Sequence, residues 1–141
     1  MAHWLIADDD NGARGAIELM LHIWGFAVVE FNNGIDALDY LDAVDDGIVP
    51  DDDLPELALL DIRMPGATGN DVAYRLRESP RLGHIPIIAM TAYHLPEEVQ
   101  RDLRFRDGVD RIILKPLPAA VKFFAIAQEV KAERQWKNIQ E

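Results

Sequence analysis

Four sets of polar residues carry side chains that could do chemistry together: Asp8-Asp9-Asp10, Asp61, Thr91 and Lys115. Each follows a short apolar run, and the clearest run is Leu57-Ala58-Leu59-Leu60, which delivers Asp61 to its end and then breaks at Met64-Pro65-Gly66. Gathered in one place, the carboxylates would repel one another and raise one another's pKa, so they would call for a cation. Oxygen ligands without any cysteine suit a hard ion such as Mg²⁺, which shares phosphoryl groups with one or two carboxylates. A hydroxyl and an ammonium nearby suit the remaining phosphoryl oxygens. The chemistry this set suggests is phosphoryl transfer to a carboxylate. Taken singly, each residue has a plainer use. Asp8 or Asp10 can cap a helix, Thr91 can bond backbone at a strand end, and Lys115 can be a surface lysine ahead of a turn fixed by Pro116.

The elements that must position these groups follow from hydrophobic pattern. His3 to Ala7 reads as a strand, and Asp10 or Asn11 can cap the helix after it, with Ile17, Met20, Leu21 and Trp24 facing inward and Gly25 closing it. Phe26 to Phe31 is a second strand, Asn32-Asn33-Gly34 a turn, and Ile35, Leu38 and Leu41 mark a second helix. Val44 to Pro55 is the longest irregular stretch, expected to be a solvated acidic excursion; its acids lack the regular alternation of a calcium loop. The Leu57 run is apolar throughout, as strands buried on both faces of a parallel sheet are. A helix around Val72 and Leu76 ends at Ser79-Pro80, and Ile85 to Met90 is the next strand. Pro96-Glu97-Glu98 opens a helix that Gly108 stops. Arg111 to Leu114 is the last strand, and Ala119 to about Lys137 the last helix, with Phe123, Ala127 and Val130 buried. Strand and helix alternate throughout, which predicts an α/β fold: a parallel sheet with helices on both faces and the polar strand ends on one edge.

Length and composition bound the function. A chain of 141 residues suits one domain, 1–141, with one principal site. The absence of cysteine excludes disulfides and thiolate metal sites. No apolar run approaches membrane-spanning length, and Met1 to Ala7 runs into acids rather than forming a leader, so the expectation is a cytoplasmic protein without membrane contact. A formal charge of −11 repels phosphate backbones, which argues against direct nucleic-acid binding.

Four motifs in order then identify a resemblance. Ile6-Ala7-Asp8-Asp9-Asp10, Leu59-Leu60-Asp61-Ile62-Arg63-Met64-Pro65-Gly66, Met90-Thr91-Ala92 and Leu114-Lys115-Pro116 are similar to those of receiver domains of two-component response regulators, from about Trp4 to the end of the last helix. The resemblance implies a doubly wound, five-stranded, flavodoxin-like fold of strand order 2-1-3-4-5. It implies that Asp61 accepts a phosphoryl group from a sensor histidine kinase or a histidine phosphotransfer protein. Asp9 would bind Mg²⁺ directly, Asp8 through water, and Arg63 through its backbone carbonyl, with Asp61 completing the set. Lys115 would pair with Asp61 at rest and with the phosphoryl group afterwards, and Thr91 would hydrogen-bond that group. The protein would promote only its own phosphorylation and slow dephosphorylation. Its output would be a downstream protein target or a phosphorylation-dependent homodimer, through a face carrying Arg101, Arg104, Arg106 and Arg111. Arg63 and Tyr93, two residues after the acceptor and the threonine, would flank the path of attacking water.

One departure stands out: such receivers usually place Tyr or Phe three residues before the lysine, where this chain has Ile112. Alternatives from other classes are a receiver cut from a longer transcription factor or hybrid kinase, an interaction-only receiver that is never phosphorylated, and an aspartate-dependent phosphatase. Arg63 stands where such phosphatases usually carry a second acid.

Overall fold

The apolar runs become strands and the amphipathic stretches helices, in strict alternation. The computed structural model describes residues 1–140. Its strands are β1 (His3–Ala7), β2 (Ala27–Phe31), β3 (Pro55–Asp61), β4 (Ile87–Thr91) and β5 (Arg111–Leu114). Its helices are α1 (Asn11–Ile23), α2 (Gly34–Asp45), α3 (Gly69–Glu78), α4 (Glu97–Arg101) and α5 (Ala120–Gln140). The strands form one parallel sheet of order β2-β1-β3-β4-β5, so this is the expected doubly wound α/β fold. No helix among the described residues is long and apolar enough to cross a membrane.

Register places the chemistry. Ala7 pairs with Leu60, Asp61 with Met90, and Thr91 with Leu114, so Asp8, Asp61, Thr91 and Lys115 all arrive at one edge. Each sheet face carries a core. One packs Trp4, Ile6, Leu57, Leu59, Ile88 and Met90 against Ile17 and Leu21 of α1 and Phe123, Ala127 and Val130 of α5. The other packs Leu5, Ala58, Leu60 and Ile87 against α2 and α3. Strands with apolar side chains on both faces are what this two-sided burial requires.

Several details differ from the sequence expectation. Trp24 does not face inward: it ends α1 and is 46% exposed, stacking on Phe124 with ring centroids 4.2 Å apart. Asn33 caps α2 by accepting from the Asp36 N–H, and that phase buries Ala37, Leu41 and Val44 while leaving Ile35 half exposed. The acidic connection is fastened rather than free. Asp45 accepts from Ser79 Oγ (2.6 Å) and Arg75 (2.7 Å), and Arg81 donates to the Val44 carbonyl (2.6 Å) and pairs with Asp51. Asp51–Asp53 forms a single 3₁₀ turn. Pro96 caps α4 from outside the helix, and α4 is only five residues long before a π turn (Asp102–Arg106) that ends at Gly108, φ 74°.

At the opposite edge of the sheet from the polar strand ends, Asp110 is a buried hub. Its carboxylate accepts from Arg77 (2.8 Å), Lys137 (3.0 Å) and the Ile87 N–H (2.9 Å), with Arg134 at 3.6 Å. These bonds and that of Asn138 to the His84 carbonyl dock the end of α5, which runs three residues past the expected Lys137.

Candidate functional site

Asp8 follows β1 and is fully buried; its Oδ1 accepts from the Asp10 N–H at 2.9 Å. Asp10 is consumed by capping α1, its Oδ1 accepting from the Gly12 and Ala13 N–H groups, while Asp9 is exposed. Of the three consecutive acids, one is therefore structural and two remain for the site. Asp61 ends β3 and is 7% exposed, with the Arg63 N–H reaching its Oδ1 at 3.4 Å. Carboxylate oxygens of Asp8, Asp9 and Asp61 all lie within 4.8 Å of one another. That donor set fits a hard divalent cation: three carboxylate oxygens, with Asp8 fully buried, and no sulfur or imidazole among them.

Lys115 follows β5 and enters from the other side, across a cis bond to Pro116. Its Nζ donates to Asp8 Oδ2 at 2.8 Å and to Asp61 Oδ2 at 3.4 Å. The expected resting pair with Asp61 is therefore the longer of two bonds. Asp8, the more deeply buried of the two carboxylates, takes the shorter one. Burial pushes the Asp61 carboxyl up to about 6, the neighbouring Asp8 pushes in the same direction, and Lys115 and the Arg63 N–H offset part of the rise. Burial disfavours the Lys115 ammonium, but its bonds to Asp8 and Asp61 outweigh that and hold its pKa above the usual lysine range.

Thr91 is buried at the end of β4, and its hydroxyl is bound to local backbone, donating to the Tyr93 carbonyl (3.0 Å) and accepting from the Tyr93 N–H (3.1 Å). Arg63 and Tyr93 meet: the guanidinium lies over the ring, 4.6 Å from its centroid. The arginine face is largely neutralised from within. Arg101 lies 3.5 Å from Glu97, Arg106 3.0 Å from Asp107, and Arg111 2.8 Å from Glu133, leaving Arg104 without a carboxylate partner among the described residues.

Two residues that support the site were not singled out from sequence. Arg14 reaches back from α1 to donate to the Asp8 carbonyl at 2.7 Å, fixing the loop that carries the acids. Gly69 donates to the Ile62 carbonyl at 3.0 Å, and a Cβ there would stand 2.3 Å from the Asp61 carbonyl oxygen. Gly69 opens α3 directly after Thr68, whose hydroxyl caps the helix by accepting from the Asp71 N–H; nothing in the residue pattern announced how close Gly69 comes to Asp61.

Comparisons with known proteins agree with this arrangement. The model of the response regulator receiver domain family matches residues 4–126. The two-component response regulator ORR4 of Oryza sativa subsp. indica is 31% identical over 129 residues, covering 84% of this chain and 55% of its own length, so this chain spans little more than half of that relative. ARR5 of Arabidopsis thaliana, also a two-component response regulator, is 30% identical over 143 residues, covering 99% of this chain and 77% of its own. Among solved structures, the receiver domain of the Pseudomonas aeruginosa sensor histidine kinase PA1611, which holds a magnesium ion in its active-site cleft, superposes with a TM-score of 0.74 at 23% identity, covering 93% of this chain and 98% of that one. With its sheet order, its strand-end acids and a family match over most of its length, this chain belongs to the response regulator receiver domains of two-component systems.

Proposed function

We propose that the protein accepts a phosphoryl group on Asp61 from the phosphohistidine of a sensor histidine kinase or a histidine phosphotransfer protein, and signals through a protein–protein surface that depends on that group. The observation that carries this reading is the convergence of Asp8, Asp9 and Asp61 within 4.8 Å with Lys115 bonded into the same cluster. In the transfer, the donor's P–N bond breaks, a bond from phosphorus to an Asp61 carboxylate oxygen forms, and the imidazole leaves as the neutral base after taking up a proton. Lys115 is placed to follow the negative charge from the carboxylate to the phosphoryl oxygens, and the Thr91 hydroxyl to donate to one of them once it leaves Tyr93. Asp9 directly, Asp8 through water, Asp61, and the Arg63 carbonyl would hold Mg²⁺. When bound, that ion neutralises charge on the transferring group.

No other substrate is turned over in this reading: the protein promotes its own phosphorylation and slow dephosphorylation. The work is cytoplasmic, where the kinase domains it would meet reside, and its net charge of −11 favours protein partners, including a second phosphorylated copy, over nucleic acid. Exposure to acetyl phosphate with Mg²⁺ followed by intact-mass measurement should show one added phosphoryl group, lost in Asp61→Asn and without Mg²⁺. Undiminished labelling of Asp61→Asn would remove Asp61 as the acceptor.

A further inference from the structure

An open cleft of about 780 Å³ lies between the π turn after α4, the start of β5 and the end of α5. Its charge is opposite to that of the chain. Arg104 and Arg106 reach it from the π turn, Arg111 from β5, Arg77 from α3, and Arg134 and Lys137 from α5, against two carboxylates, Asp110 and Glu133, in a protein of formal charge −11. A cleft lined by one sign of charge concentrates counter-ions. The floor is preformed: Arg77 donates to the Gly83, Ile85 and Gly108 carbonyls and to Asp110, and Lys137 donates to the same carboxylate. The rim is open to exchange. Arg104 has no carboxylate partner among the described residues, and Arg111 pairs with Glu129 and Glu133, both exposed. Exposed pairs of that kind are weak and give way to a stronger acceptor. Phe105 stands at the same rim with 83% of its surface exposed. A lone exposed ring is ordinary; a ring set between two guanidinium-bearing residues at the mouth of a basic cleft is a stacking surface beside anion donors.

We propose that this cleft binds a nucleoside diphosphate, its phosphates held by Arg104, Arg111 and Lys137 and its base stacked on Phe105. A guanidinium meets phosphate oxygens through two parallel N–H bonds, and a lysine meets them as a point charge. Aromatic faces stack on bases of any kind. The volume falls within the roughly 300–1,000 Å³ usual for small-ligand clefts. Two phosphates suit it better than one, because the cations come from three separate elements. An acidic protein segment would satisfy the same cations one carboxylate at a time and leave the ring without a flat partner. The ligand would tie the π turn, β5 and α5 together from the end of the sheet away from Asp61, so the site stands independently of phosphoryl transfer.

Calorimetric titration with ADP and with pyrophosphate tests this, in EDTA so that no metal bridges either anion to the acidic cluster. ADP should bind the wild type more tightly than pyrophosphate does. Arg104→Glu should weaken both by about tenfold or more, through reversed charge and a lost fork. Phe105→Ala should weaken ADP and leave pyrophosphate unchanged, because only the base uses the ring. Both side chains are exposed, so neither change disturbs the core. Arg101→Glu, on α4 outside the cleft, should alter neither titration. Amide spectra should place the ADP-induced shifts at Gly108 to Arg111 and along the end of α5. No heat from ADP at millimolar concentration overturns the proposal, and so does a loss that Arg101→Glu shares, which would report only the general charge of that face. Shifts centred on Asp8, Asp9 and Asp61 would move the nucleotide to the acidic site and overturn it as well. A glutamate-rich peptide that binds where ADP does not would assign the cleft to a protein segment instead.

Discussion

The Asp61 carboxyl is held in a state that a free aspartate would not choose. Its pKa rises from the usual value near 3.8 to about 6, chiefly through burial. The folded chain thus binds that proton more tightly than the unfolded chain. Asp61 then contributes full stability below about pH 4, and the contribution is lost as pH climbs through about 6. In chelator, Asp61→Asn should match the wild type near pH 4 and exceed it above pH 7 by about 2–3 kcal/mol, read as a higher urea midpoint. A wild type that gains on the mutant as pH rises would mean that Lys115, not burial, sets the balance. Individually, Asp61, Thr91 and Lys115 were legible because each closes an apolar run. How the lysine divides itself between Asp8 and Asp61 was not, since it depends on which carboxylate the fold buries more deeply, and no residue pattern encodes that.

At the scale of elements, the strands followed from pattern because parallel strands must be apolar on both faces and each crossover needs a helix, while their order came only from the resemblance to receiver domains. Helix phase was less legible. Ile35 and Trp24 looked like core residues, yet an Asn33 cap and the end of α1 turned them outward. The β3–α3 junction shows how tightly an element can be seated: a methyl group at Gly69 meets the Asp61 carbonyl oxygen at 2.3 Å, so β3 and α3 cannot both stay in place. Gly69→Ala should cost about 1–3 kcal/mol by denaturant melting. It should also slow acetyl phosphate labelling, because the displaced strand end carries Asp61, the proposed acceptor. Normal labelling at reduced stability would show that α3 gives way and Asp61 does not. The far edge of the sheet offers a contrast. Asp110 joins α3, β4 and α5 through Arg77, Arg134, Lys137 and the Ile87 N–H, well away from the acidic cluster. Asp110→Ala removes the buried carboxylate that Arg77, Arg134 and Lys137 share and should cost about 3–5 kcal/mol, with the labelling rate at low temperature unchanged.

Taken as a whole molecule, the chain concentrates its mutual repulsion at the edge where it is expected to bind a cation. Mg²⁺ has the acidic cluster to bind in the folded chain and only dispersed carboxylates in the unfolded one. At a concentration 100 times its Kd it should stabilise by about 2.7 kcal/mol, raising the melting temperature by several degrees. Asp9→Asn should remove most of that gain while leaving the buried Asp8–Lys115 pair in place; an unchanged Mg²⁺ effect would assign the ion to other oxygens. The acidic connection before β3, read from sequence as a loose excursion, is tied by Arg75, Ser79 and Arg81, contacts between residues some thirty positions apart that composition does not announce. The stacking of Trp24 on Phe124 has a use of its own. The three tryptophans occupy graded environments: Trp4 1% exposed, Trp24 46% and Trp136 64%. Their fluorescence therefore divides by place. Trp4 emission should stay unquenched by acrylamide until the fold opens, while Trp24, lying where α1 meets α5, should respond to whatever protein covers that seam. With Trp136 replaced by Phe, the molecule carries its own optical record of docking and unfolding, separable by quencher and without any added label.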